Sequence, residues 1–184
     1  MLNFLKIDNV YAANFEDIYN LYVDAFPKAE RRTWAALESV LNNDRKFNMF
    51  AIMSDNKFVG FVNYWKFERF FYIEHFAILP QFRNHKYGSE AMKILMAQLN
   101  MPVVLEVEMP RSIVASKRIH FYERLGFYVL SNIYMQPPYD GVSFMIPMLI
   151  MSNDYHFANR HFQMIKNNKK DIFELLKDSI KEQK

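Results

Sequence analysis

The chain has 184 residues, a formal net charge of +3 at pH 7 and no cysteine. This length suits one domain with a proper core, and so small a charge does not favour nucleic acid as a partner. Without cysteine there is no disulfide, no cysteine-ligated zinc and no cysteine nucleophile. The most apolar stretch, 143–151, is too short to cross a bilayer. We therefore expect a cytoplasmic protein with no membrane span and no signal peptide at its start.

The predicted elements begin with a short strand at 2–7. Two helices follow, one after Asn14 and one after Thr33, because both side chains suit a helix N-cap. The later elements are three strands at 47–54, 57–67 and 69–79, a helix at 89–99, a strand at 102–108, a helix at 115–126, strands at 127–135 and 142–151, and a helical tail. Strands that alternate with helices late in the chain predict a mixed α/β sheet.

The stretch 73–99 contains the most informative pattern. It predicts a strand, a turn after Pro80, a polar and basic loop, then Gly88 and a helix. A helix N-terminus has unpaired backbone N–H groups and partial positive charge, so such a loop suits an anion, most naturally phosphate. Gly88 would let the backbone approach an oxyanion without a Cβ in the way. An ordinary strand-to-helix turn with solvated charges is the other interpretation.

Two stretches resemble the signature motifs of the GNAT N-acetyltransferases. The loop RNHKYGS at 83–89 is similar to the family's Arg/Gln-x-x-Gly-x-Gly/Ala cofactor motif. The stretch IHFYERLGF at 119–127 is similar to the family's later FYEKLGF signature. Because both occur in the family's order with a strand between them, the pair is far more specific than either motif alone. The likeness covers residues 1–150, taken as the N-acetyltransferase domain, and leaves 151–184 as a C-terminal helical extension.

The resemblance implies the GNAT fold, which is α/β (α+β) with a mixed central sheet of roughly six to seven strands and helices on both faces. The fourth strand would splay from the fifth, and an extra helix would follow at the C-terminus. The resemblance also implies acetyl-CoA as co-substrate. The residues expected to bind it are Phe76, Ala77 and Ile78, through the free backbone of the splayed strand, and the loop residues Arg83, Asn84, His85, Lys86, Tyr87, Gly88 and Ser89.

The reaction implied is direct attack of a primary amine on the thioester in a ternary complex. Tyr122 matches the family tyrosine that protonates the leaving thiolate, although a tyrosine at this position could simply pack in the core. Glu74 is the first choice for general base, with Tyr72 and Phe76 expected on its face of the strand. Glu106 and Glu108 are alternatives on the next strand. The five histidines lack metal-ligand spacing, so no metal is expected.

The sequence departs from the family pattern in three respects. Lys86 stands where the first motif glycine is expected, Ala115 stands in place of an asparagine, and Lys117 and Arg118 replace small residues. If position 86 needs a positive φ, lysine costs on the order of 1 kcal/mol there. These departures motivate an alternative function, a GNAT-fold protein that binds CoA or acyl-CoA as a sensor or interaction module without turnover. A nucleotide- or RNA-associated protein is disfavoured because no Walker-type loop is present.

The resemblance implies a small-molecule amine or a protein N-terminus as the acceptor. Its side of the site would come from Arg31, Arg32, Trp34 and the stretch 135–141, with the two arginines more commonly explained as exposed residues at a helix start. The late lysines are interleaved with acids and predict the solvated face of a helix. Whether the tail packs on its own domain or on a second subunit of a homodimer stays open.

Overall fold

The structure, a computed structural model, describes residues 1–139 and 143–169. The elements are β1 (Leu2–Ile7), α1 (Phe15–Ala25), α2 (Trp34–Asn43), β2 (Phe47–Ser54), β3 (Lys57–Lys66), β4 (Phe71–Ile78), α3 (Tyr87–Gln98), β5 (Val103–Glu108), α4 (Ile113–Glu123), β6 (Tyr128–Gln136), β7 (Ile146–Ser152) and α5 (Tyr155–Arg160). Residues 162–169 are also helical. The order of strands and helices is the one that the sequence predicts.

The strands form one seven-stranded sheet in the order β1-β2-β3-β4-β5-β7-β6. Only β4 and β5 pair in parallel, and their register covers just Phe71↔Val103 to Ile73↔Leu105. Beyond Ile73 the two strands diverge, while β5 continues to pair with β7 as far as Glu108. The mixed sheet and the splayed fourth and fifth strands confirm the predicted GNAT fold.

A β-bulge at Glu74 sits where β4 leaves β5. In the register with β3, Asn63 faces His75 and Tyr64 faces Ile73, so Glu74 is an extra residue. A bulge interrupts the two-residue alternation of side chains. Phe76 therefore points away from Glu74 and stacks on Phe121 of α4, so the prediction that it shares the Glu74 face is wrong.

Two apolar layers cover the sheet. On one face α1, α2 and the C-terminal segment pack through residues such as Ile18, Leu37 and Ile165. On the other face α3 and α4 pack through residues such as Met92 and Ile119. Helices thus lie on both faces, and the extra C-terminal helix packs on the α1 face. Among the helices described here, none has the length and apolar character needed to cross a membrane.

The predicted helix caps have different outcomes. The Thr33 hydroxyl accepts from the N–H of Ala36 at 3.2 Å and so caps α2 as expected. Asn14 occupies the N-cap position of α1 with φ 65°, yet its side chain makes no cap hydrogen bond. It donates instead to Asp17 Oδ2 at 3.0 Å, so the predicted cap of α1 is wrong in its chemistry.

Gly60 of β3 packs closely against the open end of β4. A Cβ there would clash with the backbone oxygen of Ala77 and lie 2.8 Å from Ile78 Cδ1. We expect Gly60→Ala to lower the free energy of unfolding by about 2 kcal/mol in urea denaturation, because backbone cannot move aside cheaply. Gly88→Ala is the matched control, since its Cβ would meet only ordinary contacts of 3.5 Å or more. Equal stability of the two variants would contradict this packing.

Candidate active site

The loop before α3 has an unusual backbone. Asn84 and Lys86 have φ of 63° and 65°, in the left-handed region, and Lys86 is the N-cap of α3. Position 86 therefore does need a positive φ, and lysine costs on the order of 1 kcal/mol there. The turn leaves the first N–H groups of α3 without intrahelical acceptors and places the positive end of the helix dipole at this loop.

A groove of about 720 Å³ runs from this loop between β4 and α4. We call it the basic groove because five of its lining residues are cations: Arg83, Lys86, Lys93, Arg118 and Arg124. A Cβ on Gly88 would lie 3.5 Å from Ile78 and 3.6 Å from Phe121, the two walls, so any larger side chain would narrow the groove.

Most of the predicted loop residues line the basic groove. They are Arg83, Asn84, Lys86, Gly88 and Ser89. His85 and Tyr87 do not line it. The Nδ1 of His85 lies 2.7 Å from the Arg83 carbonyl, and the Tyr87 ring packs edge-on against Phe82. Any contribution of these two residues to a bound anion would come from their backbone.

The free edge of β4 supplies backbone groups to the gap. The N–H of Leu79 donates to Val59 of β3 at 2.9 Å. Because antiparallel pairs alternate, Ala77 directs its backbone toward β3, while Phe76 and Ile78 direct theirs toward the gap. The Ile78 carbonyl already accepts from Arg83 Nε at 3.0 Å. Of the three predicted backbone residues, Phe76 and Ile78 thus face the opening.

A second cavity, of about 430 Å³, lies on the other side of the gap. We call it the acidic cavity because five carboxylates line it: Asp24, Glu30, Glu74, Glu106 and Glu108. Three cations, Arg83, Lys117 and Arg118, line it as well. Tyr122 lines both spaces and so stands where they meet. Burial raises the pKa of Tyr122 to about 12, so this phenol keeps its proton at neutral pH.

Glu74 is an anchored carboxylate. It accepts hydrogen bonds from Arg32 Nη1 at 2.6 Å, Trp65 Nε1 at 3.1 Å and the Tyr139 hydroxyl at 2.7 Å. Burial alone would raise its pKa, but the Arg32 guanidinium outweighs it and lowers the pKa of Glu74 to about 2. An ionised carboxylate with three donors has little tendency to take another proton, so this environment suits an anchor better than a base.

Arg32 is buried, with 2% of its surface exposed, because its guanidinium forms an ion pair with the buried carboxylate of Glu74. The interpretation of Arg32 as an exposed helix-start residue is therefore wrong. Arg31 donates to the Phe26 carbonyl at 3.1 Å, and Trp34 packs edge-on against Phe15. Neither Arg31 nor Trp34 lines the acidic cavity. Of the stretch 135–141, Gln136 and Tyr139 do line it, and residues 140 and 141 lie outside the described residues.

His75 is a neutral imidazole. Burial lowers its pKa to about 4, against the opposing influence of Glu74. Its Nε2 lies 2.8 Å from the backbone carbonyl of Glu30. Since a carbonyl oxygen only accepts, we assign the proton to Nε2. His75 thereby ties β4 to the connection between α1 and α2.

The two carboxylates of β5 are ion-paired. Glu108 pairs with Arg118 of α4, and Glu106 pairs with Lys169 and accepts from the Tyr72 hydroxyl at 3.1 Å. Lys169 is fully buried, 4.2 Å from the centre of the Tyr72 ring. The prediction that the late lysines are solvated is thus wrong for Lys169, which brings the C-terminal segment to the back of the acidic cavity.

The sequence pattern of the Acetyltransferase (GNAT) family matches residues 15–127. With this match over more than half of its length, the chain belongs to the GNAT acetyltransferase family. A match of the family defines a class of acyl-transfer proteins and leaves the acceptor open. No curated protein sequence matches the chain.

Solved structures agree with this assignment. A protein from Bacteroides thetaiotaomicron assigned to the GNAT acetyltransferases is 33% identical, with a TM-score of 0.85 over 90% of this chain and 94% of its own. A GNAT acetyltransferase from Elizabethkingia anophelis, solved with acetyl-CoA bound, is 12% identical, with a TM-score of 0.57 over 82% of this chain and 96% of its own. A variant of the spermidine N-acetyltransferase SpeG from Vibrio cholerae is 14% identical, with a TM-score of 0.59 over 83% of this chain and 94% of its own. The two lower identities show the fold alone.

The buried ion pair gives a stability prediction. Glu74→Gln leaves the Arg32 charge unpaired in the core, so we expect the free energy of unfolding to fall by about 3 kcal/mol in urea denaturation. The pKa of Glu74 is lowered from 4.5 to about 2 in the folded state, so its contribution is complete above pH 4.5 and is lost as the pH falls toward 2. The Gln variant should lack that part of the acid sensitivity.

The control for this prediction is the double variant Arg32→Met with Glu74→Leu. It removes both charges and fills the space with apolar atoms, so it should be more stable than Glu74→Gln. A double variant as unstable as the sum of the two single variants would show that the two side chains do not act as a pair.

Proposed function

We propose that this chain transfers the acetyl group of acetyl-CoA to a primary amine by direct attack in a ternary complex. The observation that carries the proposal is the meeting of a basic groove and an acidic cavity at Tyr122, in the gap between β4 and β5. A cation-lined groove suits a polyanionic cofactor, and an acid-lined cavity suits an amine that is protonated in water.

The first half of the proposal concerns cofactor binding. The free N–H groups at the start of α3 would bind the pyrophosphate, with Gly88 leaving room for it between the groove walls. The gap-facing backbone of Phe76 and Ile78 would pair with the pantetheine amides, as a further strand pairs with a sheet edge. Arg83, Lys86 and Lys93 add charge-assisted contacts to phosphate oxygens.

The second half concerns the chemistry. The amine nitrogen forms a bond to the acetyl carbonyl carbon, and the carbon–sulfur bond breaks. Tyr122 donates its proton to the leaving thiolate, which requires a phenol that is protonated at neutral pH. No covalent intermediate on the protein is needed, and holding both reactants in one space supplies much of the rate.

Lys86 gives the alternative its support. Its left-handed backbone carries a conformational cost that a glycine would not have. A GNAT-fold protein that binds CoA or acyl-CoA as a sensor, without turnover, would keep the groove and need no proton donor. Release of thiol from acetyl-CoA in the presence of an amine distinguishes the enzyme from the sensor.

We also propose the domain division, the acceptor class and the cellular location that the sequence indicates. Residues 1–150 would form the catalytic domain and 151–184 an extension of it. The acceptor would be a small-molecule amine or a protein N-terminus, with no nucleic acid or membrane partner. The protein would work in the cytoplasm. A homodimer is a separate proposal, because the tail packs on its own domain as far as residue 169.

Cofactor binding can be tested by calorimetric titration. We expect saturable binding of acetyl-CoA and none of ATP at the same concentrations. Gly88→Val should weaken acetyl-CoA binding at least tenfold, because its side chain would fill the space between Ile78 and Phe121. If the protein does not bind acetyl-CoA at millimolar concentration, both the enzyme hypothesis and the sensor hypothesis are wrong.

The role of Tyr122 can be tested by thiol release from acetyl-CoA with propylamine, spermidine, a free amino acid and a dipeptide as acceptors. We expect Tyr122→Phe to lower kcat by about 100-fold or more while acetyl-CoA affinity is unchanged, because only proton donation is lost. Tyr64, a buried tyrosine that lines neither cavity, provides the matched control, and Tyr64→Phe should keep full activity. Acetyl-CoA binding without thiol release from any amine would favour the sensor.

A further inference from the structure

Two carboxylates of the acidic cavity, Asp24 and Glu30, have no ion pair or hydrogen bond among the described residues. Asp24 is exposed at the surface of α1, whereas Glu30 is the half-buried one of the two. It ends the short 3-10 turn Lys28–Glu30 and is half-buried in the cavity wall. Within residues 1–139 and 143–169, no ion pair or hydrogen bond engages its carboxylate. By contrast, Glu74, Glu106 and Glu108 are all ion-paired. Glu30 therefore keeps its acceptor capacity for whatever enters the cavity.

The backbone around Glu30 is fixed from two sides. His75 of β4 bonds the Glu30 carbonyl at 2.8 Å, and the N–H of Tyr139 donates to the Ala29 carbonyl at 2.8 Å. The N–H of Glu30 itself donates to Pro27 at 2.8 Å. The carboxylate thus projects from a rigid turn, as a group that must meet a substrate in a defined position requires.

The electrostatic surroundings suit proton uptake. Burial raises the pKa of Glu30, the Glu108 charge raises it further, Arg118 lowers it and Glu106 raises it. The pKa of Glu30 is therefore raised where that of the anchored Glu74 is lowered, so the Glu30 carboxylate is the stronger base of the two. The other charged and titratable groups that line this cavity come from every element around it. They are Asp24 (α1); Tyr72, Glu74 and His75 (β4); Arg83 (the loop before α3); Glu106 and Glu108 (β5); Lys117, Arg118 and Tyr122 (α4); and Tyr139 (the β6–β7 connection).

We infer that Glu30, and not Glu74, binds the acceptor as an alkyl ammonium and takes the proton that makes it nucleophilic. The inference rests on the proposed amine acetylation and deepens it. One proton passes from the ammonium to Glu30 and then to solvent. The neutral nitrogen attacks the acetyl carbon, and the thiolate that leaves is protonated by Tyr122. The nitrogen's second proton restores Tyr122 through solvent, so one proton is released per turnover.

The test compares Glu30→Gln with Glu38→Gln, a carboxylate of α2 outside both cavities. Thiol release is followed with propylamine and with the fastest amine of the panel, from pH 5 to 9. We expect Glu30→Gln to lower kcat/KM at least 100-fold and to abolish the fall in rate on the acid side, where Glu30 would become protonated. Glu30→Asp should keep that acid limb at a reduced rate. Glu38→Gln should match the wild type.

Two further readouts separate a catalytic role from a structural one. Because the Glu30 carboxylate has no described partner, Glu30→Gln should leave the Tm and acetyl-CoA affinity unchanged. It should also weaken propylammonium binding to the CoA-saturated protein at least tenfold. A Glu30→Gln rate within threefold of wild type overturns the inference and leaves amine acetylation standing. A wild type that binds acetyl-CoA but acetylates no amine overturns both.

Discussion

The buried Arg32–Glu74 ion pair is the constraint on which the site depends. Removing two charges from water costs several kcal/mol each, and only good geometry with further hydrogen bonds offsets that cost. Here Trp65 of β3 and Tyr139 of the β6–β7 connection supply those bonds. The pair therefore joins the α1–α2 connection, the β4 bulge and the hairpin at one point, and these are the parts that form the walls of the acidic cavity.

The separation of charge across the gap follows from the same arrangement. The bulge places Glu74 and His75 together on the α1 face, while Phe76 faces α4. The carboxylates thus line the acidic cavity, while Lys86, Lys93 and Arg124 line the basic groove alone and Arg83 and Arg118 line both spaces. In the proposed reaction, the groove would attract the polyanionic cofactor and the carboxylates of the cavity would attract the cationic acceptor, so the field would favour one orientation of the two substrates.

Much of this fold can be predicted from the sequence, because helix periodicity, the Thr33 cap and the two family motifs are local signals. The bulge at Glu74 cannot, since period-two alternation contains no sign of an extra residue. The burial of Arg32 and Lys169 depends on partners 42 and 63 residues away, Glu74 and Glu106. The sequence does not indicate Glu30 for a related reason. Glu30 is a candidate base because its half-buried carboxylate has no ion pair among the described residues, and this can be recognised only when the ion pairs of Glu74, Glu106 and Glu108 are known.

Lys169 neutralises Glu106, a buried carboxylate of the acidic cavity. Two aromatic rings, of Tyr72 and Tyr134, and the Glu106 carboxylate surround its ammonium. Without Lys169, Glu106 would be a buried and unpaired anion, and it would compete with Glu30 for the acceptor ammonium. The C-terminal segment lies beyond the residues 15–127 that match the family pattern. By pairing with Glu106 on the α1 face, this added segment leaves Glu30 as the half-buried carboxylate of the described cavity wall that has no ion pair, which is the position that the proposed reaction assigns to the acceptor nitrogen.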